Sequence, residues 1–263
     1  MSRTRTKPLF KPDSRWIPLV TVVGALVAWE GAARWGLVSG YLFSSPTVVL
    51  KTLAASFASG EMFEHTLATL LRVAPGLALG AIPGFLLGIG MGLSRTLRDA
   101  LDPLFAAIHP IPKIAILPLV MIFLGVGEAS RIAVASLAAF FPMLINTMAG
   151  IREIDPIYFQ VAENYGASRA KVLRRVVLPG SLPLVLGGLR LAANLTLLIT
   201  ISAEIVMADV GLGSLVWLAW ETLRVELLYA TLIVISVLGI SITTGLRYLQ
   251  ESLAPWQVVE PSR

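Results

Sequence analysis

Two groups of polar residues interrupt stretches otherwise given over to Leu, Ile, Val, Ala and Gly, and both have chemistry to offer a small solute. Lys113 follows Pro110 and Pro112 and stands one helical turn after His109. An ammonium beside proline-freed backbone attracts an anion such as a sulfonate or nitrate; the competing role is a lysine paired with a carboxylate or carbonyl of another segment. Thr196, Thr200 and Glu204 recur every fourth residue and give one helix a polar stripe. Such a stripe suits a water-lined path, or hydroxyls bonded back to their own helix. Covalent chemistry has little to work with. The chain has no cysteine and only two histidines, His65 and His109. It contains no G-x-S-x-G, H-E-x-x-H or G-x-x-x-x-G-K-[ST]. The sequence therefore argues against an enzyme, a metal site, a cofactor or a nucleotide site of its own.

The elements that hold these residues are apolar helices. Of 263 residues 56% are apolar and 14% charged, and the mean hydropathy is +0.79. A soluble domain of this length needs a far more charged surface, so the composition predicts an all-α polytopic membrane protein. Six spans are expected, near Trp16–Trp35, Leu71–Leu93, Pro103–Val126, Ser130–Ile151, Leu182–Met207 and Val225–Leu249. Each reaches the roughly 20 residues that cross a bilayer. None shows the alternation of a barrel strand. Fourteen of the 21 basic residues fall on the side that carries both termini, which places that side in the cytoplasm. The net charge of +5 follows from this bias and asks for no nucleic acid. The expected organisation is a basic tail over 1–15, a membrane domain over 16–253 that includes the loop 152–181, and a tail over 254–263. The basic start and first apolar run read as a span rather than a cleaved signal.

Several spans carry features of their own. Gly76, Gly80, Gly84, Gly88 and Gly92 form a bare ridge that lets another helix approach backbone to backbone, in this chain or a second copy. The third span is short unless it includes "PLFAAIHPIPK", and a single kinked crossing puts Lys113 about 15 Å from the cytoplasmic end. Arg72 is expected to snorkel at the external end of its span. Arg190 and Asn146 are expected to make bonds between spans. "SSPTVVLKTLAASFASG" reads as an amphipathic helix capped by Ser45, with Val49, Leu50, Leu53 and Phe57 on its apolar face. Trp217 and Trp220 suit the interfacial aromatic belt.

The loop after the fourth span differs from everything around it. Asp155 and Pro156 open a short helix, Gly166 ends it, Ser168 caps a second helix, and Pro179 is expected to stop that one. A short exposed helix between firm stops fits a partner's groove. At these residues the chain resembles the permease subunits of bacterial ATP-binding-cassette importers, whose signature is E-A-A, three residues, G, nine residues, I, one residue, L-P. Ala162, Gly166, Val176, Leu178 and Pro179 stand at matching positions, whereas Gln160 replaces the glutamate and Val161 the first alanine. Glu163 is a substitute for the missing carboxylate.

Further stretches such as "HPIPKIAILPLVMIFLGVGEASRI" and "LPGSLPLVLGGLRLAANL" resemble the nitrate, sulfonate, taurine and bicarbonate branch. "INTMAGIREID" and "YGAS" lean towards aliphatic sulfonates. The resemblance implies a type I permease architecture in the bacterial inner membrane. It also implies a cytoplasmic ATPase dimer that binds ATP and Mg, a second permease copy, and a periplasmic or lipid-anchored solute-binding protein. It implies that Gln160, Ala162, Glu163, Gly166, Arg169, Leu178 and Pro179 meet the ATPase. His109, Lys113, Thr196, Thr200 and Glu204 are candidates for the solute path by their own chemistry, and at Lys113 the chain departs from the resembling permeases, which usually carry an apolar residue or proline there. A non-anionic solute such as a pyrimidine precursor, or a stand-alone secondary transporter, is the alternative.

Overall fold

The computed structural model describes residues 16–37, 39, 43–207 and 209–256. Among them there is no strand. Helix α1 (Trp16–Arg34) is followed by α2 (Pro46–Ala58), where the Ser45 hydroxyl accepts from the Val48 N–H and Pro46 takes the first turn. Gly60, at φ +85°, turns the chain into α3 (Glu61–Leu93), a 33-residue helix that starts ten residues before the predicted span. Of the expected apolar face of α2, Val49 is buried and Leu53 packs on the core, while Leu50 and Phe57 remain exposed.

The third span departs from a single crossing. Helix α4 (Arg95–Ile108) stops, a 3-10 turn covers Lys113–Ile116, and α5 (Leu117–Leu124) leaves at 86° to α4. Pro110 and Pro112 cannot donate to the helix behind them, so the chain turns where a kink was expected. Helix α6 (Glu128–Arg152) then crosses back. The loop helices α7 (Pro156–Asn164) and α8 (Arg169–Val172) lead to α9 (Leu178–Met207), α10 (Leu212–Glu221) and α11 (Val225–Leu253).

Pro179 does not end the second loop helix. A π turn over Leu173–Val177 carries α8 into α9 as one continuous helix, with the Leu178 N–H bonded to the Leu173 carbonyl. The wider turn moves the register by one residue, which makes room for a residue with no N–H to give. Among the described residues, four helices are long and apolar enough to cross a membrane: α3, α6, Arg169–Met207 and α11. The bent α4–α5 pair makes a fifth if counted as one span. The first predicted span is α1, whose apolar side chains are nearly all exposed.

The core is built on α3, α6 and α9. All five ridge glycines of α3 lie against α6 of the same chain. A Cβ on Gly80 would stand 2.0 Å from the Ser136 carbonyl oxygen, and one on Gly88 2.6 Å from Thr147 Cβ. A second cluster joins α2, α10 and α11 through Val49, Leu212, Leu215, Leu227 and Ala230, with Met62 of α3. Polar bonds tie α11 to α9: Arg190 donates to Gln250 at 2.5 Å and Thr243 to Asn194 at 3.0 Å. Asn146 bonds the Pro142 carbonyl of its own helix rather than another span.

Candidate functional site

The loop between α6 and α8 is shaped by its own residues. The Asp155 carboxylate accepts from the Ile157 N–H at 2.9 Å, and Pro156 opens α7 where a missing N–H costs nothing. Gly166 at φ +65° lets the chain reverse, so that the Ala167 N–H reaches the Ala162 carbonyl at 2.9 Å. Ser168 then caps α8. None of α7 is buried. Tyr158, Val161 and Tyr165 fall at i, i+3 and i+7 and form an exposed apolar stripe, with Tyr165 86% accessible. Gln160, Glu163, Gly166 and Arg169 are exposed, Ala162 is half-buried, and Leu178 and Pro179 are half-buried where α9 begins. Glu163 and Arg169 line one groove of about 480 Å³ with Phe159, Ala167, Val172 and Val177. The two tyrosines were missed by sequence reasoning, although their spacing with Val161 was there to be read.

Lys113 sits at the corner between α4 and α5. Its ammonium donates to the carbonyls of His109 (2.5 Å) and Ile111 (2.9 Å) and lies 4.6 Å from the centre of the Phe141 ring. His109 is exposed, with its ring 5.1 Å from that of Phe141. The amine thus serves carbonyls left open where α4 stops, and they belong to its own segment rather than another span. Two of its three N–H groups are used in this way.

Thr196, Thr200 and Glu204 are fully buried, and in this chain their stripe faces protein rather than water. Thr196 donates back to the Ala192 carbonyl at 2.7 Å. The reason for burial lies at Glu204. Arg72 Nη1 donates to it at 2.6 Å, and Thr69 Oγ1 lies 2.9 Å from both its oxygens. Arg72 does not snorkel. It is 5% accessible, and its Nε and Nη2 grip Glu128 at 2.7 and 2.8 Å. Arg131, also buried, pairs with Glu128. Two arginines and two glutamates on three helices thus form one clasp. An Arg and a Glu set in two apolar spans was a signal for this pairing, because such charges seek each other in lipid.

The comparisons with known proteins agree with this architecture. Residues 84–257 match the family described as binding-protein-dependent transport system inner membrane component. The chain is 35% identical to the taurine transport system permease protein TauC of Escherichia coli K12, covering 93% of this chain and 92% of that one. It is 30% identical to the putative aliphatic sulfonates transport permease protein SsuC of Bacillus subtilis 168, covering 92% and 88%. It is 35% identical to the bicarbonate transport system permease protein CmpB of Synechococcus elongatus, covering 91% and 90%. In fold it is similar to a chain of the inward-facing MetNI methionine ABC transporter, with a TM-score of 0.60 at 16% identity, covering 70% of this chain and 92% of that one.

The chain belongs to the binding-protein-dependent transport family: it is an inner-membrane permease subunit of an ATP-binding-cassette importer. It is not an enzyme, and ATP hydrolysis falls to a partner ATPase. Within that class it sits in the taurine, sulfonate and bicarbonate branch.

Proposed function

We propose that the chain carries a small anion, an aliphatic sulfonate before taurine or nitrate, from a periplasmic or lipid-anchored binding protein to the cytoplasm. Two copies of the chain line the path, and two ATPases drive it from below. The observation that carries the reading is the α7–Gly166–α8 hairpin, a short exposed helix with an apolar stripe between two firm stops. In this reading the hairpin is cytoplasmic and α7 seats in a cleft of the ATPase. Gln160, Ala162, Glu163, Gly166 and Arg169 lie at the joint, with Glu163 as the carboxylate that Gln160 does not supply. Arg169, Lys171, Arg174 and Arg175 face anionic headgroups. Closure of the ATPases on ATP draws the hairpins together, and the continuous helix from Arg169 to Met207 passes that movement into the membrane.

The test of coupling is retention of the ATPase by the tagged permease. Tyr165→Ala with Val161→Ser is expected to lose the ATPase while the permease stays folded in the membrane. Undiminished retention and uptake would end the reading. For the solute, the test is growth on alkanesulfonates as sole sulfur source, with and without this gene. Lys113 supports an anionic solute: one N–H remains unused, beside His109 and an aromatic floor, and Lys113→Gln is expected to lower anion uptake. The two carbonyls that Lys113 already serves favour a second reading, in which the amine only caps α4 and the solute is neutral. Under that reading Lys113→Gln leaves the concentration dependence of uptake as it was. Solute movement by the purified chain in vesicles without any ATPase would instead indicate a transporter that works alone.

A further inference from the structure

The end of α9 opposite the hairpin is held by an arrangement that the transport reading has not used. Between α9 and α10 the backbone is bound by side chains. Arg131 donates to the Met207 carbonyl (2.7 Å) and Arg72 to that of Val210 (2.6 Å). The Gly211 N–H meets His65 Nδ1 (3.0 Å), the Leu212 N–H meets Thr69 Oγ1 (2.9 Å), and the Gly213 N–H meets Glu204 (2.9 Å). The approach is close enough to require glycine. A Cβ on Gly211 would stand 2.4 Å from Glu204 Cδ, and one on Gly213 2.2 Å from the Ile201 carbonyl oxygen.

The two sides of this seam differ in how firmly they are built. On one side α3, α6 and α9 interlock, with would-be Cβ positions on the glycine ridge 2.0 to 2.9 Å from α6. Sliding there means unmaking the core. On the other side α10 packs by Leu212, Leu215 and Ala219 onto α2 and α11. It meets the interlocked body at Met62 of α3, which shares that cluster, and through directional polar bonds, which are either made or broken. Buried charge adds little stability over apolar packing of the same shape, so stability alone is a poor account of two arginines and two glutamates in this place. The clasp also has an open edge: the Glu128 side chain is 56% accessible while that of Glu204 is 0%. Release can begin at Glu128 while Arg72 keeps Glu204.

We infer that Arg72, Glu128 and Glu204 are positioning residues of the transport cycle, forming a latch that holds residues 209–211 and α10 shut at the external end and lets them go once per cycle. This rests on the importer reading and on the external placement of that end. In each cycle an exit or entrance must open at this end, and the polar seam is the place where opening leaves the interlocked α3, α6 and α9 whole.

A reversible lock tests the latch, and the absence of native cysteine makes it clean. The probe is the assembled permease–ATPase complex in lipid nanodiscs, with its binding protein added, carrying Thr69→Cys and Leu212→Cys. Oxidation without nucleotide is expected to form the cross-link and to reduce binding-protein-stimulated ATP hydrolysis at least tenfold, with full recovery in reductant. A merely structural clamp tolerates being locked. Equal hydrolysis by oxidised and reduced complexes, or no cross-link at all, would overturn the latch. Glu204→Gln gives an independent reading. It is expected to raise hydrolysis in the absence of binding protein several-fold and to abolish the stimulation. An unchanged stimulation ratio in that variant would also overturn it. If hydrolysis by the cysteine-free complex ignores the binding protein, the importer reading itself fails and the latch fails with it.

Discussion

The two ends of the 39-residue helix from Arg169 to Met207 are held by opposite means. At the start, every group that shapes the α7–α8 hairpin lies within a few residues of its partner: Asp155 with Ile157, Ala162 with Ala167, Ser168 with Lys171. The result is an exposed surface with its own stops and no buried residue in α7. At the finish, the Arg72 and Glu204 side chains meet across 132 positions of sequence and are shielded from solvent. An exposed surface can be specified locally, because water satisfies whatever the chain does not. A junction inside one protein must satisfy every polar group from within. The first is therefore robust to what surrounds it, and the second depends on its partners.

Four substitutions sharpen that contrast, in falling order of effect. Arg72→Ala leaves Glu204 buried without a cation and is expected to cost about 3–5 kcal/mol. Thermal unfolding of the purified complex measures this, and Arg72→Met with Glu204→Leu should recover most of the loss. A change below about 1 kcal/mol would mean that water enters the clasp freely. Gly80→Ala is next, at about 1–3 kcal/mol, because the added carbon meets the Ser136 carbonyl. Gly245→Ala, with open space around it, serves as the control and should lose nothing. Gly166→Ala is expected to cost about 1–2 kcal/mol through its left-handed backbone, all of it within the hairpin. The melting of the bundle then stays put while retention of the ATPase falls; a drop in bundle stability would contradict the local character of this end. Asp155→Ala removes one cap, worth about 1 kcal/mol. Hydrogen exchange should show faster amides in α7 and no change in α3 or α6.

The same contrast explains what was legible in the sequence. The hairpin was readable residue by residue, since caps, prolines and a left-handed glycine act at short range. The ridge on α3 was readable from its period, but only the fold shows that it meets α6 of the same chain. Pro179 misled because a proline is a stop by local rule, whereas α9 is anchored by packing. Gly180 abuts Ile154, and the Ser181 hydroxyl bonds the Val177 carbonyl, so the helix widens and continues. Arg72 misled for the same reason. Near a span end an arginine has a cheap route to water, and its actual partners lie on α6 and α9. The stripe of Thr196, Thr200 and Glu204 was visible as a pattern, but a period cannot say whether a polar face meets solvent or an arginine. The fold-back at Lys113 was half visible: the prolines marked the place without giving the angle.

The π turn at Leu173–Val177 has a geometric consequence. One extra residue in a turn advances everything beyond it by about 100° around the helix axis. The azimuth of Glu204 relative to Arg169 is thus fixed by a single inserted position. Were the turn to tighten to ordinary helix, the acidic side chain would swing away from its guanidinium and the rod would lengthen by roughly 1.5 Å, one residue's rise. A torsional offset of this kind makes the contact at one end of the rod depend on the winding at the other.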